Sequence, residues 1–286
     1  MARILLDSPP PGRPDGEPGA DTGPRRRALL VLGGIAALII VLLIGLVAYL
    51  LGGGRDTSAP PPVSVPGMST PPSALDGGGW DVAAETELAT RAMPQFPETA
   101  VMPHPLSTDS AGPPIVLPPP GVTQGRWVPG GFPATAEGAA AQQAALMVAG
   151  LSGGDPQTYA SAYASIALPG APAADTTAMF TGLQTFRSHA GAPATGAMAR
   201  LQVSWTPTSA LIKGTTDGGR YAVVCVLGEM TAAGSGQIAS AGIGDCQALR
   251  YVDGEWRIAP GAPAAKGPSA WPGTAEAVAA GYRDLG

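Results

Sequence analysis

The chain contains no asparagine, only two lysines and only two cysteines. Without asparagine there is no N-glycosylation sequon. Two cysteines and two histidines are too few for a zinc cluster or a disulfide-dense miniature scaffold. Positive charge is scarce as well. The net charge of −5 and the pI near 5 exclude a nucleic-acid binder that works through counterion release, so no nucleic acid is expected as a partner. Aromatic residues make up 5% and charged residues 13% of the chain, so the core has to be built largely from small aliphatic side chains. No chemistry demands so complete an avoidance of asparagine. A GC-rich coding sequence does, and it also accounts for the surplus of Ala, Gly and Pro. The helix propensity of Ala therefore carries little weight here.

Glycine (41) and proline (32) together supply about a quarter of the 286 residues. That share borders on low-complexity composition and argues against one compact domain running from end to end. The most pronounced feature is instead the uncharged run from Ala28 to Leu51, rich in Leu, Ile, Val and Ala. As a helix it spans roughly 36 Å, enough for a hydrocarbon core of about 30 Å with some tilt. It is too long for the apolar core of a cleavable signal peptide, and Gly52, Gly53, Gly54 and Arg55 form no clear cleavage site. Arg25, Arg26 and Arg27 precede it, against Arg55 alone after it. The positive-inside rule then places the Pro- and Gly-rich tail 1–27 in the cytoplasm and the rest of the chain outside. The expectation is a single-pass cell-membrane protein whose bilayer contact is residues 28–51.

Residues 52–131 read as a Pro/Gly-rich linker. Its first part resembles a polyproline spacer. A short helix is expected near 81–91, with Val82, Leu88 and Ala89 as its apolar stripe. The stretch 93–131 is expected to be coil that wraps the domain or reaches a partner.

A folded domain is expected over 132–286. Thr135 opens a helix with Glu137 in its first turn. Asp155 with Pro156 opens a second, carrying Tyr159, Tyr163 and Ile166 at helical spacing. A third, from about Asp175 to Ala190, presents Met179, Phe180, Leu183 and Phe186, and Gly191 stands where a helix-terminating glycine belongs. The period then changes to two. Strands are expected over Leu201–Trp205, Ala210–Thr215, Tyr221–Met230, Gly244–Val252 and Trp256–Ala259, with a loop from Thr231 to Ser240. Thr274 starts a terminal helix with Val278, Tyr282 and Leu285. Helices gathered before an antiparallel meander of about five strands mean an α+β fold.

Asp253-Gly254 is a two-residue hairpin signal. It pairs Tyr251 with Trp256 and sets Arg250 opposite Arg257. Like charges directly opposite are unfavourable, so Arg250 and Arg257 should be wet or face an acidic partner. Cys225 and Cys246 fall near the middle of neighbouring strands. If they face each other, Val223 pairs with Ala248, and Tyr221, Val223, Cys225, Cys246, Ala248 and Arg250 share one face. Outside the membrane a disulfide between the two cysteines is expected.

No catalytic group, cofactor or metal site is read from the chain. His104 lies in Pro-rich coil and His189 near a helix end. There is no Gly-x-Ser-x-Gly elbow and no phosphate-loop spacing. Asp245 reads as a strand-edge carboxylate, with a buried acid in a cone-shaped pocket as the alternative.

Four strings, Gly79-Trp80-Asp81-Val82-Ala83-Ala84, Gly131-Phe132-Pro133-Ala134-Thr135-Ala136-Glu137-Gly138-Ala139, Val203-Ser204-Trp205-Thr206-Pro207-Thr208 and Ser269-Ala270-Trp271-Pro272-Gly273, resemble an uncharacterised single-pass membrane-protein family of high-GC Gram-positive bacteria linked to conjugative elements. The order of helices and strands resembles the cone-shaped nuclear transport factor two-like domain, and an anchor followed by such a domain resembles the bitopic scaffold subunit of type IV secretion machines. The resemblance implies a non-enzymatic scaffold whose partners are envelope subunits of a transfer complex. The alternatives are an accessory protein of a lipid-uptake transporter and a ligand-binding or catalytic cone. A filled apolar interior favours the first two, and a pocket of converging polar groups the third.

Overall fold

A computed structural model describes residues 79–286. Arg25, Arg26 and Arg27, the apolar run 28–51 and the spacer up to residue 78 lie outside the described residues. Among those described, no helix is long and apolar enough to cross a membrane.

The helices begin where their capping side chains stand. Asp81 accepts from the Ala84 amide (3.0 Å) and opens α1, Val82–Thr90. Thr135 accepts from Gly138 (3.1 Å) and opens α2, Ala136–Leu151. Asp155, with Pro156 at the first helical position, opens α3, Pro156–Ile166. The third helix of the domain starts later than expected. A short 3-10 turn, Ala174–Thr176, comes first, and Thr177 then caps α4, Ala178–His189. Gly191 follows in the left-handed region (φ 59°). The expected stripes on α3 and α4 are all buried. The Ala-rich α2 is buried over most of its surface, because its small side chains let the sheet and α3 approach closely.

The sheet is antiparallel in the order β4-β3-β2-β1-β5. Its strands are β1 Gln202–Thr216, β2 Tyr221–Gly234, β3 Gln237–Val252, β4 Glu255–Ile258 and β5 Arg283–Asp284. The count of five agrees with expectation, but its members differ. The two strands read around Pro207 are one strand, bent by register shifts at Pro207/Ser209 and Ile212/Gly214. The fifth place goes to the two-residue C-terminal strand, which pairs with Ser209 and Ala210. The expected loop Thr231–Ser240 is mostly strand. Thr231–Gly234 pairs with Gln237–Ser240 around the tight turn Ser235-Gly236, both residues with positive φ. Ala, Gly and Ser there give no alternating hydrophobic pattern, so the strand was not visible in composition. The terminal helix α5, Ala275–Ala280, ends at Gly281 (φ 95°), short of Tyr282. Thr274 takes the cap position, yet its hydroxyl donates to the Trp271 carbonyl (2.7 Å).

Much of the segment read as linker, from Trp80 to Val128, packs against the domain. Trp80, Leu88, Ala89, Val101, Ile115 and Val128 from the segment read as linker are all buried. Backbone hydrogen bonds fasten this strap along its length. Ala265 donates to Ala89 (2.8 Å), Trp271 to Ala100 (2.6 Å) and Ile115 to Asp284 (2.8 Å). A Pro-rich chain has few amides with which to form its own ladder, so it borrows carbonyls and donors from the domain it crosses. Helices α2–α4 cover one face of the sheet and build the main core with Phe132, Trp205, Val224 and Trp256. The strap, the 262–271 segment and α5 cover the other face. Both faces are therefore filled.

Candidate functional site

Arg250, expected to be wet or to meet an acidic partner, is buried inside the fold. It lies opposite Arg257 as the hairpin requires, but it is 6% exposed and donates to Glu85 of α1 (Nε–Oε1 2.8 Å, Nη2–Oε2 2.5 Å). The acidic partner that the like-charge pair demanded comes from the same chain. Glu85, placed on no apolar stripe by its type, points inward, while Val82 of the expected stripe is exposed. Trp80 completes the arrangement, with the guanidinium carbons of Arg220 and Arg250 each 4.4 Å from its ring centroid. Arg257 remains partly exposed and is held by Glu255 (2.7 Å). Cys225 and Cys246 form a disulfide, directly opposite in register, with Val223 paired to Ala248 as expected.

A cleft of about 220 Å3 opens on the flank of β3. Strand β4 pairs only with Leu249–Val252, so residues 244–247 of β3 extend past it. Their outer side is met by the turn before α4, by Tyr163 of α3 and by the 263–269 segment. That segment lies against the strand because β3 carries glycine at its contact points. A Cβ on Gly244 would stand 2.0 Å from the Pro268 carbonyl oxygen.

Asp245 is the chemical centre of this cleft. Its side chain shares the helix-facing side of the sheet with Ile243 and Gln247, because successive residues of a strand alternate in direction. Asp245 is half-buried and lines the cleft, and the protein packed around its carboxyl disfavours the charged form. Oδ2 accepts from Gln143 Nε2 (2.8 Å) and Gln247 Nε2 (2.9 Å). Burial raises its pKa to about 6, against the opposing pull of those two amides and the Cys246 backbone. Tyr159 and Tyr163 stand beside it, and burial together with the Asp245 charge pushes both phenols upward. Gln143 Oε1 is fully buried without a hydrogen-bond partner. The Tyr159 hydroxyl makes no well-formed hydrogen bond either, although Thr177 lies near it. Lys266, on the opposite wall, is brought down to about 8 by burial alone. No described residue accepts a hydrogen bond from its ammonium.

The cleft thus holds a carboxyl braced by two amides and, elsewhere in its lining, a cation that no described side chain pairs with. Asp245 combines features of both readings: it stands on β3 beyond the end of β4, and it lies half-buried in a cleft. Lys266 escaped sequence reasoning altogether. Its only signal was rarity, as one of two lysines, set in the Pro- and Gly-containing string Pro263-Ala264-Ala265-Lys266-Gly267-Pro268. The histidines lie elsewhere. His104 contacts Glu276 (3.1 Å) and the Met102 carbonyl, and His189 sits in the last turn of α4. No group of three or more His, Cys, Asp or Glu among the described residues could hold a metal ion.

Compared with family models, with curated proteins and with solved structures, the chain matches none.

Proposed function

We propose that the chain is a non-enzymatic, single-pass membrane subunit that docks envelope proteins of a conjugation-like or secretion-like transfer apparatus through residues 79–286. The observation that carries this reading is the loop 122–130. Val122 and Gly130 exchange both backbone hydrogen bonds (2.9 Å each), and Arg126 grips Glu255 of β4 through its two terminal guanidinium nitrogens. This fastened loop holds Trp127 55% exposed, with Val122 also exposed. A large aromatic ring held outward by a rigid loop is the kind of anchor that dominates protein–protein binding, because little freedom is lost on docking. The filled sheet faces support the same reading, since they leave the loops and outer helix surfaces as contact area.

The apolar run 28–51 behind three arginines supplies the tether, and the disulfide suits an oxidising compartment outside the membrane. The test is a photo-crosslinking residue at position 127 in the full chain, irradiated in native membranes. Recovery of transfer-apparatus subunits is expected. Recovery of lipid-permease subunits instead would overturn the conjugation reading. Protease added to intact protoplasts should remove residues 79–286, and full protection would overturn the orientation.

A further inference from the structure

We propose that the cleft between Asp245 and Lys266 is a binding site for a small zwitterion, an α-amino acid or a dipeptide, whose carboxylate meets Lys266 Nζ and whose ammonium meets Asp245. This inference is independent of the docking reading, which rests on the opposite end of the strap.

Three observations converge. First, half-buried Lys266 places a cation on the cleft wall that no described residue neutralises. Second, Asp245 is held by neutral amides alone, so its orientation is set while its charge is left over. Third, the two groups are fixed relative to each other without touching. A Cβ on Gly267 would stand 2.9 Å from the Asp245 backbone, which locks the residue after Lys266 against the strand that carries Asp245. No charge coupling between the two groups contributes to either one's titration.

The signs select the ligand. A simple anion drawn to Lys266 is repelled by Asp245, and a simple cation drawn to Asp245 is repelled by Lys266. A molecule bearing both charges satisfies both walls at once. The volume of about 220 Å3 lies below the usual range for drug-sized ligands, which restricts the occupant to a small molecule. Met179 and Pro172 offer an apolar wall for a small side chain.

The charges also define a pH window. Below about 6 Asp245 gains its proton, and above about 8 Lys266 loses one, so affinity should peak between them. Tyr159 and Tyr163 stand beside Asp245, Tyr282 lies across the strand with its hydroxyl on the Pro268 carbonyl, and all three phenols stay protonated across that window. No charged side chain faces Lys266 closely enough to shift it.

The test uses the full chain in detergent micelles, with L-alanine and alanyl-alanine as probes and acetate and methylammonium as single-charge controls. Ligand-observed saturation-transfer NMR reads the dissociation constant. Saturable binding of at least one zwitterion is expected, with each control at least about tenfold weaker. Lys266→Gln and Asp245→Asn should each weaken binding about tenfold or more, while Trp127→Ala leaves it unchanged. Thermal melts establish that the variants are folded, and Lys266→Gln, at the wall, decides the matter should Asp245→Asn fail to fold. Absence of saturation by either zwitterion overturns the proposal. So does equal binding of acetate, or unchanged affinity in a folded Lys266→Gln protein. Loss of binding with intact crosslinking at position 127 separates this site from the docking surface.

Discussion

Arg250 and Asp245 stand five residues apart on β3, on opposite faces of the sheet, and the fold treats them in opposite ways. Arg250 is met by a carboxylate in two-point contact, stacked on Trp80 and sealed under the strap. Asp245 receives two neutral amides and opens on a cleft. The first arrangement neutralises a charge to close a face. The second preserves one. A carboxyl whose only purpose was packing would cost less as an amide. The contrast therefore teaches that the strap face is built for cohesion and the cleft for contact with something outside the chain.

The comparison breaks most visibly at Glu85. Glu85→Ala leaves the Arg250 guanidinium buried without its anion, and such a loss costs about 3–5 kcal/mol. Denaturant unfolding should show that drop, and a joint Glu85→Leu, Arg250→Met replacement should recover most of it. An unchanged midpoint in the single variant would mean that the strap is not held by this pair.

The disulfide comes next. Cys225 and Cys246 are 21 residues apart, a loop whose closure is worth about 3 kcal/mol in the chain-entropy model. Replacing both with Ala should lower stability by that order. Non-reducing mass analysis should find the native chain two hydrogens lighter than the reduced one.

The cleft should respond in the opposite direction. The pKa of Asp245 is raised to about 6, so the folded state holds a proton that the unfolded chain releases from about pH 4 upward. Its contribution is full below that point and is lost as pH rises through 6. Asp245→Asn should therefore stabilise the protein at pH 7–8, by up to about 3 kcal/mol, and flatten the pH dependence between 4 and 6. Destabilisation at pH 8 would turn Asp245 into another cohesive group and erase the contrast.

Smaller effects sharpen the picture. Thr135→Ala removes the cap of α2 and should cost about 1 kcal/mol by thermal melting. Trp127→Ala should change stability by less than about 0.5 kcal/mol, as exposed substitutions do, while sharply reducing partner recovery from membranes.

How much of this was legible in the sequence varies by element. The caps at Thr135 and Asp155, and the Asp253-Gly254 hairpin with its Tyr251–Trp256 pair, could be read because each depends on residues a few positions apart. The cystine was expected from the places of Cys225 and Cys246 in neighbouring strands together with the reading that puts the domain outside the membrane. The strap could not be read, since proline-rich sequence carries no periodicity and its partners lie more than a hundred residues away. The merging of strands across Pro207 was hidden because a bulge lets an edge position accept a proline. The cleft was half legible. Asp245 could be named as a candidate acid, but Lys266 is brought into the same cleft by a close backbone approach that the glycines of β3 permit.

Local chemistry in the sequence thus determined where helices start, which turn is tight and which strands pair. The tertiary structure alone decided that much of the segment from Trp80 to Val128 packs against the domain, that Arg250 is sealed by Glu85, and that Asp245 and Lys266 line one cleft. The physical reason is range. Caps and turns are satisfied by groups within a few residues, whereas burial of a charge is settled by whichever distant segment comes to cover it.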